Sequence, residues 1–153
     1  MKTFKDSQGR EWQVTVNVTT IKRVRDLVKV DLLEVLEGKL LERLASDPIL
    51  LVDVLYVVCK PQADKDNVTD ESFGAALAGK SIEDATTAFL EELVDFFPEP
   101  RKGLLQKALQ KMTSFYKMAT TMAGEKFDSK ELEQELQQQI ATALSTKSPA
   151  SSA

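Results

Sequence analysis

The stretch from Asp47 to Lys60, DPILLVDVLYVVCK, constrains this chain most: ten of its fourteen residues are apolar, and at helical spacing they fall on every side. No single amphipathic stripe can be drawn through it, so a helix here needs neighbours on most sides and belongs in the middle of a domain. Asp53 is its one interior charge. The β-branched content would also suit a buried strand, but Asp47-Pro48 is a helix-opening pair, with Asp as N-cap and Pro at the first helical position. A membrane span needs about twenty consecutive apolar residues. This run is interrupted by Asp53 and closed by Lys60 and Pro61. The expectation is a central, buried helix.

The chain of 153 residues is 42% apolar and 29% charged, the balance of one soluble domain. A domain of this length buries about 68 to 70% of its unfolded surface. Its net charge of -4 gives no general attraction to phosphate backbones or anionic lipid, so neither nucleic acid nor membrane is expected as a partner. The single cysteine, Cys59, lies in the most apolar segment and reads as a small core residue rather than a nucleophile, in keeping with a reducing cytoplasm. The opening MKTFKDSQGREW carries no apolar stretch of the signal-peptide kind.

Taken in order, Lys2 to Val18 alternates apolar and polar around a turn at Asp6-Ser7-Gln8-Gly9, which predicts a β-hairpin with Trp12, Val14, Val16 and Val18 on one face. Thr19 and Thr20 offer caps to a short amphipathic helix, with Ile21, Val24, Leu27 and Val28 inward and Lys22, Arg23 and Arg25 outward. A second apolar stripe runs through Leu32, Leu33, Val35, Leu36, Leu40, Leu41 and Leu44, with Gly38 ending one short helix and letting the next start at a new angle. After Pro61 the polar run QADKDNVTDES reads as a loop. Thr69 opens a helix carrying Phe73, Ala76 and Leu77, which Gly79 stops. Ser81 with Asp84 caps the next helix, whose apolar side ends at Phe97 and whose continuation is broken by Pro98 and Pro100. From Arg101 an apolar pattern through Met122 predicts the longest helix, about six turns ending at Gly124. Asp128 and Glu131 then cap a last one. The fold class is therefore α+β, mostly α: an N-terminal β-hairpin packed on a helical bundle with a central apolar helix. One globular domain is expected over residues 1–124, a loosely attached C-terminal helix over 125–145 and a disordered tail over 146–153.

Chemistry is scarce in this sequence. Histidine is absent, which removes Ser-His-Asp and Cys-His catalysis and the commonest transition-metal ligand. Gly74 to Ser81, GAALAGKS, has phosphate-loop spacing. That loop must follow a buried strand, whereas DESF before it is polar and AALA inside it favours helix, so a turn between helices is the better reading. The acids Asp64, Asp66, Asp70 and Glu71 crowd together, but Val68 breaks the calcium-loop pattern and no glycine marks its sharp turn. Asp53 and Tyr56, three apart, could share a helix face. A buried Asp53 bonded to Tyr56 or to a backbone amide is the plainer account. No catalytic residue, cofactor or metal is expected, and the chain reads as non-enzymatic.

Three features stand above this background. Six acids and no base lie between Glu83 and Glu99, and five bases and no acid between Arg101 and Lys117. Folded back at the proline turn, the two blocks would line a seam; the functional alternative is a basic face for an acidic partner. Met112, Met118 and Met122 accompany Phe115 and Tyr116, a composition that suits core packing and also adaptable binding surfaces. In the final helix Leu132, Leu136, Ile140 and Leu144 form a thin line among glutamines, so it supports only weak packing and can exchange partners.

The order GREWQVTVNVTTIKRVRDLVKVDLLEVLEG, LASDPILLVDVLYVVCKPQA and DESFGAALAGKSIEDATTAFLEELVDFFPEPRKGLLQKAL, covering about Gly9 to Leu109, resembles the tail assembly chaperones of long-tailed bacteriophages and related prophages. The likeness lies in the order of elements and general texture. It implies a small helical, non-enzymatic factor of the host cytoplasm that binds the tape measure protein, with the tail tube protein as a second candidate partner, and keeps the former soluble until the tube polymerises around it. On that reading Met112, Phe115, Tyr116, Met122, Leu132, Leu136 and Ile140 are the candidate partner-binding residues. The alternatives are a structural virion or head-tail component, or a small helical adaptor or regulatory protein.

Overall fold

Two short strands begin the chain, β1 (Lys2–Lys5) and β2 (Glu11–Val14), paired antiparallel with Phe4 opposite Trp12 and Lys2 opposite Val14. The computed structural model describes residues 1–128 and 130–147, and the side-chain surroundings of residues 1–114, 118 and 134–143. Asp6 organises the turn. Its Oδ1 accepts from the amides of Gln8 (2.9 Å) and Arg10 (3.0 Å), and its Oδ2 accepts from the indole Nε1 of Trp12 at 2.9 Å. Gly9 takes φ +83°, a conformation open to glycine at no steric cost. Alternation buries Phe4, Trp12, Val14 and Val16 as expected, but Val18 is 56% exposed, because the chain has already become helical there. Asn17, extended, is the actual cap: its side chain accepts from Thr20 N, in place of the caps expected at Thr19 and Thr20. Thr20 is buried, its hydroxyl donating to the carbonyl of Thr15 at 2.9 Å.

Helix α1 (Val18–Val28) buries Ile21 and Val24 and leaves Leu27 exposed. Arg23, expected outside with its basic neighbours, is half-buried instead, and its Nη1 donates to the carbonyls of Val57 (3.0 Å) and Val58 (3.4 Å). It thus adds a donor at a helix C-terminus, where intrahelical partners run out. A 3₁₀ turn over Leu32–Glu37 follows, then Gly38 at φ +81° and α2 (Lys39–Ser46). At three residues per turn Leu32 and Val35 stack inward while Leu33 and Leu36 face out, which splits the continuous stripe read from the sequence.

Helix α3 (Pro48–Val58) opens with Asp47 accepting from the amides of Ile49 and Leu50 at 3.1 Å. After it come α4 (Lys60–Lys65), α5 (Asp70–Ala75) and α6 (Lys80–Phe96), and α3 touches α1, α2, α4, α5 and α6. It is the central helix, with Val54 and Leu55 fully buried. One strip of it reaches solvent: Ile49 is 75% exposed and Asp53, four residues on, is exposed too, so Asp53 marks that strip rather than an interior charge.

The polar run after Pro61 is not a loop. Helix α4 forms on a Lys60–Asp64 pair at 2.9 Å and a fully buried Ala63, and closes where Val68 N donates to Ala63 O around Asn67 at φ +55°. Thr69 caps α5, as read. Gly79, not Ser81, precedes α6, and no side chain caps that helix. β1 lies on α6, and the indole of Trp12 meets Phe73 of α5 edge to face, centroids 5.0 Å apart at 84°.

Helix α6 ends before Pro98, and α7 (Arg101–Asp128) runs for 28 residues, about 42 Å at ~1.5 Å per residue, straight through the expected stop at Gly124. A lone glycine costs only about 1 kcal/mol against alanine, too little to end a helix whose neighbours favour it. Asp128 is consequently the last residue of α7 rather than the cap of α8 (Lys130–Lys147). Of the tail expected over 146–153, residues 146 and 147 belong to α8, and the rest lies outside the described residues. The chain divides into two compact units, residues 1–106 and 107–153, with the division inside α7; the sequence reading placed one domain through residue 124.

Two substitutions check this packing. Val54→Asp puts an unpaired charge at a site of zero exposure and should unfold the first unit, the cost being several kcal/mol against a total of roughly 5 to 15. Asp6→Ala strands the Trp12 N–H and two turn amides, and urea titration followed by Trp12 fluorescence should show a loss of about 2 to 3 kcal/mol.

Candidate functional site

The structure takes each sequence candidate to a definite place. Gly74 sits in α5, and a Cβ there would lie 3.6 Å from Val52 Cγ1, an ordinary contact distance, so the position faces α3 without requiring glycine. A helix rather than a strand precedes the GAALAGKS segment, and Lys80 and Ser81 fall in the first turn of α6. The arrangement does not form a phosphate cradle. Of the crowded acids, Asp64 pairs with Lys60, and Asp70 Oδ1 accepts from Glu71 N at 2.9 Å. Among the described residues no group of acids, histidines or cysteines could hold a metal ion. Asp53 and Tyr56 make no polar cluster: Asp53 faces solvent, and the Tyr56 hydroxyl donates to the carbonyl of Val68 at 3.4 Å.

The opposed charge blocks also resolve into separate jobs. Glu92, nearly buried, pairs with the Met1 ammonium at 2.8 Å, and Glu91 pairs with Lys2 at 3.3 Å, so these acids hold β1 rather than α7. Glu99 Oε2 accepts from Gly103 N at 3.2 Å, in the first turn of α7. Of the expected seam, Asp95–Lys102 at 3.2 Å is the one cross-block pair among the described residues.

Cys59 is 1% exposed, and burial pushes its thiol up to about 12, a shift that the nearby Arg23 charge partly offsets. Its thiolate is thus suppressed in the pH range where nucleophilic cysteines work.

Of the seven expected partner-binding residues, Met112 is half-buried on α7, while Leu136 and Ile140 on α8 are 45% and 59% exposed. The side chains of Phe115, Tyr116, Met122 and Leu132 lie outside the described residues. Met118 is 63% exposed, and Gln134 to Ala143 are all exposed. Leu136 and Ile140, four apart, share one helix face. Among the described residues no helix is long and apolar enough to cross a membrane.

Sequence reasoning missed the groove of about 730 Å³ beside β2, whose lining includes Gln13, Thr15, Arg23 and Gln62. Gln62 accepts from Gln13 N (3.0 Å) and donates to Glu11 O (2.8 Å). No periodicity marks Gln62, because its partners lie 49 and 51 residues away.

The thiol offers a direct check. With burial pushing its pKa up to about 12, Cys59 should carry about a thousandfold less thiolate at pH 8 than a free cysteine and label with iodoacetamide only through opening of the domain. The linked stability is complete below the unfolded value near 9 and is lost as pH rises toward 12. Rapid labelling of the folded protein would show the thiol to be accessible. Comparison with known proteins finds no matching family model, no matching curated protein and no matching solved structure.

Proposed function

We propose that this protein is a non-enzymatic tail assembly chaperone of a long-tailed bacteriophage, which binds the tape measure protein in the host cytoplasm and keeps it soluble while tail tube subunits assemble around it. The family likeness of residues 9–109 names the partner. The observation that carries the binding mode is the exposed apolar pair Leu136 and Ile140 on one face of α8. An amphipathic helix of a partner, with apolar residues three and four apart, would lay a complementary stripe along this face. On α7, Phe115 and Tyr116 lie three and four residues after Met112 and Met122 lies seven after Phe115, and flexible methionine with aromatic residues adapts to helices of many shapes. A chaperone whose client is long and repetitive gains more from an adaptable surface than from one shaped pocket.

Coexpression with the tape measure protein tests this reading, the expected result being that an otherwise aggregating client stays in the supernatant. Identical aggregation with and without the protein would overturn it. The double variant Leu136→Glu/Ile140→Glu then tests the surface. Since both residues are exposed, fold stability should change by no more than about 0.5 kcal/mol per site. Client affinity should fall at least about tenfold, equivalent to about 1.4 kcal/mol. Unchanged affinity would remove α8 from the docking surface.

A further inference from the structure

Strand β2 has one edge paired with β1, and its other edge, at Glu11, Gln13 and Thr15, directs the C=O of Glu11 and the N–H of Gln13 toward α4, while the carbonyls of Gln13 and Thr15 accept from Cys59 Sγ (3.9 Å) and the Thr20 hydroxyl (2.9 Å). The Gln62 amide sits against that edge, accepting from Gln13 N at 3.0 Å and donating to Glu11 O at 2.8 Å. Those two bonds straddle Trp12 as the peptide groups of an added parallel strand would. A side chain therefore already occupies the place of one backbone amide, at correct hydrogen-bonding distance. Beside it the groove of about 730 Å³ stays open, within the range of ligand sites.

Charge selects among possible occupants. Arg23 is half-buried in the lining, bonded to the carbonyls of Val57 and Val58, and no carboxylate pairs with it among the described residues. The remaining charged lining residues, Glu11, Lys65 and Asp66, are exposed and hence well screened. The least hydrated charge facing the groove is thus a guanidinium, which prefers a carboxylate.

We propose that this groove receives an extended peptide segment of a partner protein, added as a strand on the β2 edge in place of the Gln62 amide, with an acidic side chain directed at Arg23. Gln62 is then an internal competitor that keeps the edge covered in the free protein. The groove is lined by residues of the first unit, and the proposal does not rest on the chaperone reading.

The test uses the full chain, labelled with ¹⁵N, and the synthetic peptide acetyl-Thr-Val-Glu-Val-Thr-Val-amide, with a twin carrying Lys in place of Glu. The glutamate peptide should slow amide exchange at Gln13 and Thr15 at concentrations up to about 1 mM, the weak end of specific binding. The lysine twin should bind at least about tenfold more weakly, and Arg23→Gln should abolish that difference. Gln62→Ala should tighten binding several-fold, because a competitor is gone, whereas loss of a purely structural residue would weaken it. Absence of protection in both the wild type and a folded Gln62→Ala protein would overturn the proposal. So would protection that grows with protein concentration and no peptide, since that would assign the edge to a second copy of the chain.

Discussion

The carboxylate of Asp6 does more for this fold than its place in a surface turn suggests. One oxygen collects two turn amides and the other holds the Trp12 indole N–H, so a single side chain sets both the hairpin reversal and the direction of the largest core residue. Trp12 can be fully buried because its polar atom is met there. Its ring then meets Phe73, which in turn lies 5.5 Å from Tyr56 of α3. A two-stranded hairpin is marginal by itself in water, and this chain of contacts is what fastens it to the helices. The amide of Ser7 adds a second fastening, donating to the carbonyl of Ala76 at 2.8 Å.

Polar side chains perform several other joins that apolar packing would leave loose. Arg23 of α1 satisfies the end of α3, Gln62 of α4 covers the edge of β2, and Glu91 and Glu92 of α6 hold the start of β1. Each such bond contributes on the order of 1 kcal/mol, yet each also fixes a register that hydrophobic burial, being non-directional, does not specify. Gln62 has the further effect of occupying an edge that would otherwise offer unpaired amides to other chains.

The two compact units differ in what they bury. The first, residues 1–106, has a dense core around α3; the second, residues 107–153, carries exposed Met118, Leu136 and Ile140 on its helices. The sequence of α7 spans the division between them. On the chaperone reading, the first unit supplies the stability that lets the helical surface stay available for a client.

What the sequence determined by itself was whatever neighbouring residues decide. The apolar run with its Asp47-Pro48 start placed α3 at the centre, Gly38 separated two short helices, Thr69 opened α5, and alternation made the hairpin, because periodicity and caps act within a few residues. The failures near those elements were contests of small local energies. Asn17 outcompeted two threonines as a cap, Gly124 proved too weak to stop α7, and α4 formed from a run that looked like loop once Ala63 found a buried site. The tertiary structure alone decided the roles of Arg23, Gln62 and Glu92, and left Asp53 in solvent. It also brought the β2 edge and α4 together into a groove. Most of these contacts join residues tens of positions apart, such as Gln13 and Gln62 at a separation of 49. Chain folding sets such encounters, and local pattern does not record them.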